Sequence, residues 1–263
     1  MFTITRLLDG IFEIPAAMFL YVGDEAKGAH IRAEKAGAGT VVPVNCFLLR
    51  RDAEVILVDA GTGPAWGPAL GHARAALAAE GMAPESVDRV ILTHIHGDHA
   101  LGLFADEAAY FPRARISVPA ADLAFFTDDA ARAAMPEGRR AAFDIAARLL
   151  AVYAGRIDVS DGEEAHPGIT ALPLPGHTPG HTGYRFATAE GDILLWGDAL
   201  HIADVQPRDP RVGLFYDTDR DLAWQSRRKV LAYAAAAGLR VGGGHIDGFL
   251  RVVADGEGFR LES

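Results

Sequence analysis

Apolar and polar positions alternate from Phe2 to Arg6, and β-rich runs cover Val41 to Arg50 and Glu54 to Asp59, which predicts strands. The last two runs flank the turn-like Arg51-Asp52-Ala53, so they form a hairpin entering a sheet. Pro68 to Glu80 is rich in Ala and Leu and stops at Gly81, as a helix with a glycine terminus does. Arg89 to Thr93 is a short apolar strand. Helices are predicted over Ala120 to Ala134 and Arg139 to Ala154, then strands over Ile169 to Leu174, Thr182 to Ala187 and Asp192 to Trp196. A final helix, Asp221 to Ala237, precedes a strand pair near Leu239 to Val241 and Phe249 to Val253. Strands and helices interleave through both halves with no Pro-, Gly- or Ser-rich linker and no repeat. The class is α/β, and one domain over residues 1–263 is expected.

Composition narrows the function more than the fold. The chain has 263 residues, 50% of them hydrophobic and 23% charged, enough to bury a large core and unlike a disordered chain. A net charge of −10 without a dense Lys/Arg stripe disfavours nucleic acid as a partner. Cys46 is the only cysteine, so no intrachain disulfide forms and a reducing, cytoplasmic setting is expected; in Val44-Asn45-Cys46-Phe47-Leu48 it reads as a small packed hydrophobe. Arg6, Asp9 and Glu13 interrupt the apolar groups of the first twenty residues, against a signal peptide, and no apolar run is long enough to cross a bilayer, so secretion and membrane insertion are not expected.

The chemistry concentrates in Thr93-His94-Ile95-His96-Gly97-Asp98-His99, directly after an apolar strand. In extended backbone, residues two apart project to one side, so His94 and His96 can chelate one ion. Gly97 frees the chain to turn and bring Asp98 and His99 toward a second. A lone histidine would read as an exposed loop residue; three His and one Asp within six positions do not. Three further sites supply the missing donors. His177 sits in the rigid loop Leu174-Pro175-Gly176-His177-Thr178-Pro179-Gly180-His181, Asp198 ends a buried strand where it could bridge two cations, and His245 follows Gly242-Gly243-Gly244. Imidazole with carboxylate suits zinc and its first-row neighbours.

From about Val41 to His245 the chain resembles the metallo-β-lactamase superfamily, through the His-x-His-x-Asp-His signature and the ordered later His, Asp and His. The resemblance implies an αββα sandwich with one metal on His94, His96 and His177, a second on Asp98, His99 and His245, and Asp198 between them. True zinc β-lactamases use a cysteine where Asp198 stands, and flavodiiron relatives replace the second histidine, here His96, by Glu. Superfamily nucleases carry extra basic segments, and hydroxyacylglutathione hydrolases have a longer helical tail than the eighteen residues after His245. Pro43 to Leu48, Val58-Asp59-Ala60-Gly61, the run Pro175 to Tyr184 and Trp196-Gly197-Asp198 look like the lactonase and methyl-parathion-hydrolase-like branch.

That branch implies a hydrolase with two divalent ions, zinc first and Mn, Fe or Co as variants, acting on a lactone, another ester or a phosphotriester through a metal-bridging hydroxide. Zinc lowers the pKa of bound water to roughly 7, and two cations facing two carboxylates and a hydroxide retain about one positive charge, which favours an oxyanion. Asp98 could pass a proton to the leaving group. His201 stands three residues after Asp198, where some lactonases have a Tyr, and either donates a hydrogen bond to substrate or plays no catalytic part. His181 reads as a supporting residue behind the ligands, and Asp59 as either an orienting group or a simple turn carboxylate. His30, His72 and His166 read as surface residues.

Phe19, Phe126 and Phe215, with Met18, Leu20, Phe125 and Tyr216 beside them, are candidates to line an apolar cleft, against a core or dimer-contact reading for each. The expected partner is a small-molecule substrate, with a homodimer left open. The competing readings are a mononuclear iron dioxygenase similar to persulfide dioxygenases, a thioester hydrolase and a non-catalytic metal-binding protein.

Overall fold

The computed structural model describes residues 1–263. In the hairpin Val41–Arg51 and Glu54–Val58, Phe47 faces Val58, Leu48 faces Leu57 and Leu49 faces Ile56 across an antiparallel ladder. Successive side chains of a strand point to opposite faces. Leu48 and Leu57 therefore pack on one side with Leu77, Phe143 and Leu149, while Phe47, Leu49, Ile56 and Val58 pack on the other with Tyr184, Phe186, Ile193 and Leu195. Both faces are covered, which is why these strands read as nearly continuous apolar runs.

The hairpin lies in a six-stranded sheet with the order Thr3–Glu13, Val41–Arg51, Glu54–Val58, Arg89–Ile91, Arg115–Pro119, Ile157–Ser160. The second sheet has seven strands, Glu164–His166, Ile169–Pro173, Thr182–Thr188, Gly191–Leu195, Arg240–Gly242, Leu250–Asp255 and Gly258–Glu262. The cluster with Phe47 and Tyr184 fills the space between the sheets. Helix Ala141–Val152 covers the outer face of the first sheet, and helix Arg220–Ala236 covers that of the second through Val230, Leu231 and Ala234. The result is the four-layer αββα sandwich.

Several elements differ from the sequence expectation. The helix expected over Ala120–Ala134 is two, Ala120–Phe126 and Asp129–Ala134, because the Asp128 carboxylate accepts from the Ala130 N–H at 2.7 Å and starts the chain afresh. The helix expected over Pro68–Glu80 shrinks to Ala73–Ala79. Gly71 there takes a φ of +83°, and the N–H groups of Gly71 and Ala73 donate to the buried Asp9 carboxylate at 3.2 and 3.0 Å. Helix Glu25–Lys35 has no sequence signal because only Gly28 in it is buried. His30 and His72 are exposed, whereas His166 is half-buried and paired with Glu54 at 2.7 Å.

Candidate metal centre

Glu54–Val58, Arg89–Ile91 and Arg115–Pro119 run parallel, as do Gly191–Leu195 and Arg240–Gly242 in the other sheet. Their C-terminal ends feed the loops that carry Asp59, His94 to His99, Asp198 and His245. Ligands of open α/β sheets collect at the carboxyl ends of strands for this reason, since there the chain leaves the ladder with side chains free to converge.

One group comprises His94, His96 and His177. His94 Nε2 lies 3.1 Å from His96 Nδ1, which lies 3.0 Å from His177 Nε2. Nitrogens bound at 2.0–2.1 Å to one tetrahedral zinc would be roughly 3.3 Å apart, so this spacing suits a shared cation. The rings are set from behind. The Thr93 hydroxyl donates to Asp59 at 2.9 Å, so its oxygen is left to accept from His94 Nδ1–H at 3.0 Å, and the Nε2 lone pair faces inward. His177 Nδ1–H donates to Asp217 at 2.9 Å in the same manner.

A second group comprises Asp98, His99, Asp198 and His245. His99 Nδ1–H donates to Asp59 at 2.8 Å and His245 Nδ1–H to the Pro43 carbonyl at 2.9 Å, which again aims both Nε2 atoms inward. His245 Nε2 is 3.3 Å from Asp98 Oδ2. Asp198 stands between the groups: Oδ2 is 3.4 Å from His177 Nε2 and 3.1 Å from His245 Nε2, and Oδ1 is 3.2 Å from His99 Nε2.

Burial and the surrounding imidazoles hold His94 well below its ordinary pKa and His96 at about 3. Around His99 and His245 burial acts in the same sense, but Asp198 and its neighbouring carboxylates outweigh it. His99 is raised well above its usual value, and His245 to about 10. Burial opposes ionisation of Asp98 and Asp198, and the adjacent histidines overcome it and keep both carboxyls below their normal range.

Two observations test whether these residues fit a metal pair. His99 Nε2 and Asp198 Oδ1 are buried 3.2 Å apart, yet neither makes a well-aligned hydrogen bond to the other or to anything else, which is costly for buried polar atoms. A cation between them would satisfy both. Backbone shape agrees: a Cβ on Gly244 would lie 2.5 Å from Asp198 Oδ1 and 2.8 Å from His99 Cε1, so only glycine lets the His245 loop close on the carboxylate. The donor set therefore fits first-row divalent metal.

Above these residues opens a cavity of about 230 Å³. His96, Asp98, His177, Asp198, His201 and His245 line it together with the apolar Phe12, Ile14, Val42, Trp66, Phe126 and Met135 and the polar Arg139, Tyr216 and Thr218. Of the three phenylalanines expected in the cleft, Phe126 lines it. Phe19 is fully buried in a separate core cluster with Ile14, Val42 and Leu214, and Phe215 lies under Arg220, 4.4 Å from ring centre to guanidinium. Neither lines the cavity; Tyr216 does, one residue along from Phe215. Gly97 also differs from expectation. Its backbone is not left-handed, and what its missing Cβ admits is the Trp66 indole, 2.6 Å from where that atom would be.

His201 turns Nε2 to Asp198 Oδ2 at 3.2 Å and stacks on His245, while its Nδ1 is buried and unpartnered. Burial lowers its pKa to about 4, so the ring is neutral at ordinary pH. His181 donates Nδ1–H to the Leu174 carbonyl and accepts from the Asp198 N–H, both at 2.9 Å, which fixes Asp198 from behind. Asp59 binds both Thr93 and His99, an orienting role well beyond a turn.

Two carboxylates gave no sequence signal. Asp217 supports His177 and faces the buried Arg227 at 3.4 Å. Asp122, fully buried, accepts from the Ile95 N–H at 2.9 Å and the Gly180 N–H at 2.6 Å. It thereby ties the loop of His94 and His96 to the loop of His177.

Comparison with known proteins places the chain. Over 168 residues it is 30% identical to hydroxyacylglutathione hydrolase of Cereibacter sphaeroides, 64% of this chain and 51% of that protein. The chain spans about half to two thirds of the length of the curated relatives it matches. The solved hydrolase AbOPH of the beta-lactamase superfamily has a TM-score of 0.87 at 28% identity, covering 99% of this chain and 94% of that one. AidC, a dizinc quorum-quenching lactonase solved with a product, has a TM-score of 0.86 at 22% identity, covering 99% and 93%, a likeness of fold. The family model of the metallo-beta-lactamase superfamily matches residues 39–245, the span that carries every residue of both ligand groups, and the chain belongs to that superfamily.

Proposed function

We propose that this protein is a metal-dependent hydrolase that uses two divalent ions, zinc foremost, to cleave a lactone or another ester, with phosphotriesters as a related substrate. One observation carries the reading: two groups of inward-aimed donors share Asp198 at the base of a cavity with apolar walls. Ions held there would supply a water acidified to nucleophilic hydroxide at neutral pH and would polarise the ester oxygen. The likeness to AbOPH over nearly the whole of both chains supports the same class.

The chain's own residues do the rest. Asp59, Asp217 and the Pro43 carbonyl keep His99, His177 and His245 in the tautomer that presents Nε2 to a cation. Asp98 lines the cavity with its side chain 14% exposed, the least covered carboxylate of the ligand groups, and would carry a proton to the departing oxygen. His201, neutral and against Asp198, would steady that carboxylate; contact with substrate is the further role assigned to it. Phe126, Trp66, Met135 and Ile14 would hold the acyl or alkyl part and exclude water.

The test is metal analysis of the purified protein with turnover on lactones, esters, thioesters and phosphotriesters. About two zinc-like ions per chain and hydrolysis abolished by a chelator and restored by zinc are expected. A single iron with oxygen uptake, or hydrolysis indifferent to chelation, would overturn the reading.

A further inference from the structure

Arg139 is the only Lys or Arg lining the cavity. It ends the short turn Glu137–Arg139, beside helix Ala141–Val152, and is half-buried. Its Nη2 donates to the carbonyls of Tyr216 and Asp217, each at 3.0 Å. A guanidinium has five N–H donors, so those on Nε and Nη1 have no protein partner. No carboxylate neutralises it. The stronger of the two charges felt by Arg139 is another cation, Arg220; the weaker is Asp217, whose carboxylate is held against His177 and Arg227. Tyr216 and Thr218, on the segment that Arg139 braces, add two hydroxyls to the cavity lining.

Guanidinium keeps its proton at every working pH, so a half-buried, unpaired one cannot lower its cost by becoming neutral. The cost falls when an anion arrives. In a chain of net charge −10, a cation left without a carboxylate at the substrate cavity is the reverse of what surface composition would supply. The metal groups and Arg139 thus offer two separate points of attachment in one cavity, with apolar wall around both.

We propose that Arg139 binds a carboxylate that the substrate carries away from its scissile bond, so that the protein selects anionic esters or lactones over neutral ones of the same length. This rests on the hydrolase reading above. The remote carboxylate is unchanged in the reaction: water adds across the ester to give an acid and an alcohol, and Arg139 contributes only binding and orientation.

The experiment compares the mono-p-nitrophenyl ester of glutarate with p-nitrophenyl pentanoate, equal in length and differing in the terminal carboxylate, on zinc-loaded protein. The wild type should prefer the glutarate ester. Arg139→Gln should lose roughly 10- to 100-fold more in kcat/KM on that ester than on the pentanoate, as expected for loss of one charge-assisted contact beyond any loss of bracing. Arg139→Lys should keep most of the preference. Equal losses on both esters would show that Arg139 only braces residues 216–217, and a wild type without preference would also overturn the proposal. If neither ester is hydrolysed by protein holding two ions, the hydrolase reading fails instead. Calorimetric binding of glutarate against pentanoate then decides on Arg139 alone: tighter binding of glutarate, lost in Arg139→Gln, supports it, and equal binding refutes it.

Discussion

Near neutral pH His94 and His96 hold no proton for a cation to displace, whereas His99 and His245, a few ångströms away across Asp198, do. Depth does not separate the two pairs, because burial pushes all four toward the neutral form. Carboxylates do. His94 faces mainly other imidazoles, and around His96 the imidazoles of His177 and His99 oppose Asp98 and Asp198, while His99 and His245 are dominated by Asp98 and Asp198, and His99 also has Asp59 at 2.8 Å. One group is built ready for a cation. In the other, without metal, two protons occupy the place of positive charge and keep two carboxylates from repelling each other.

The shared Asp198 is where this comparison breaks most completely. Asp198→Asn leaves His177, His245 and His99 without the carboxylate that all three face. Metal content should fall below one ion per chain and hydrolysis below detection, with the far-ultraviolet circular dichroism unchanged. Two ions retained by this variant would mean that the groups are independent.

Proton release comes next. Cysteine-free sites of this kind bind metal only through deprotonated ligands, so each proton held at the working pH is a proton displaced. His245, raised to about 10, holds its proton from pH 6 to 8 and His99 is shifted in the same sense, so an ion binding there should expel at least one proton and lose roughly 10-fold or more in affinity per unit fall in pH. His94 and His96 should release none over that range, since His96 titrates only near 3 and His94 also lies well below its ordinary value. Sequential zinc titration of metal-free protein in buffers of different ionisation enthalpy reads this directly. Equal proton release in both steps would remove the electrostatic distinction.

Asp122 gives a smaller effect confined to one group. Asp122→Ala unpairs the buried Ile95 and Gly180 N–H groups, a cost of about 1–3 kcal/mol each, and loosens the two loops that carry His94, His96 and His177. Metal affinity of that group should fall roughly 10- to 100-fold, with a lower melting temperature, while the group braced by Asp59 keeps its affinity. Equal losses at both would place Asp122 in general stability only.

These residues also mark how much of the site the sequence exposes. The ligands are legible because they cluster at strand ends, in settings such as Gly-Asp after Leu194-Leu195-Trp196 that a surface loop does not need. Asp122 is not, because Ala120-Ala121-Asp122-Leu123 has the pattern of an ordinary helix start, and its partner Gly180 is 58 residues away. Asp9 is hidden in the same way: its contacts, Thr62, Gly71 and Ala73, exist only once the sheet has brought them to the first strand. The sandwich itself was readable from strands with two apolar faces, such as Phe47 to Leu49. Helix Glu25–Lys35, which buries almost nothing, was not. Cavity walls fail for a geometric reason, since a shift of one residue exchanges an inward ring for an outward one.

Phe126, Phe215 and Tyr216 turn that last point into the mildest test. Phe126 sits 6.4 Å from His96, ring centre to ring centre, and lines the cavity, whereas Phe215 is engaged by Arg220 outside it. Phe126→Leu keeps an apolar side chain in the cluster with Phe143 but withdraws aromatic surface from the substrate, so KM for an acyl ester should rise by about 3- to 10-fold with kcat little changed. Phe215→Leu should leave KM where it was, and Tyr216→Leu should move it. If Phe215 rather than Tyr216 governs KM, the segment after Leu214 lies one residue out of register from the arrangement described, and the wall that Arg139 braces through the Tyr216 and Asp217 carbonyls would have to be redrawn with it.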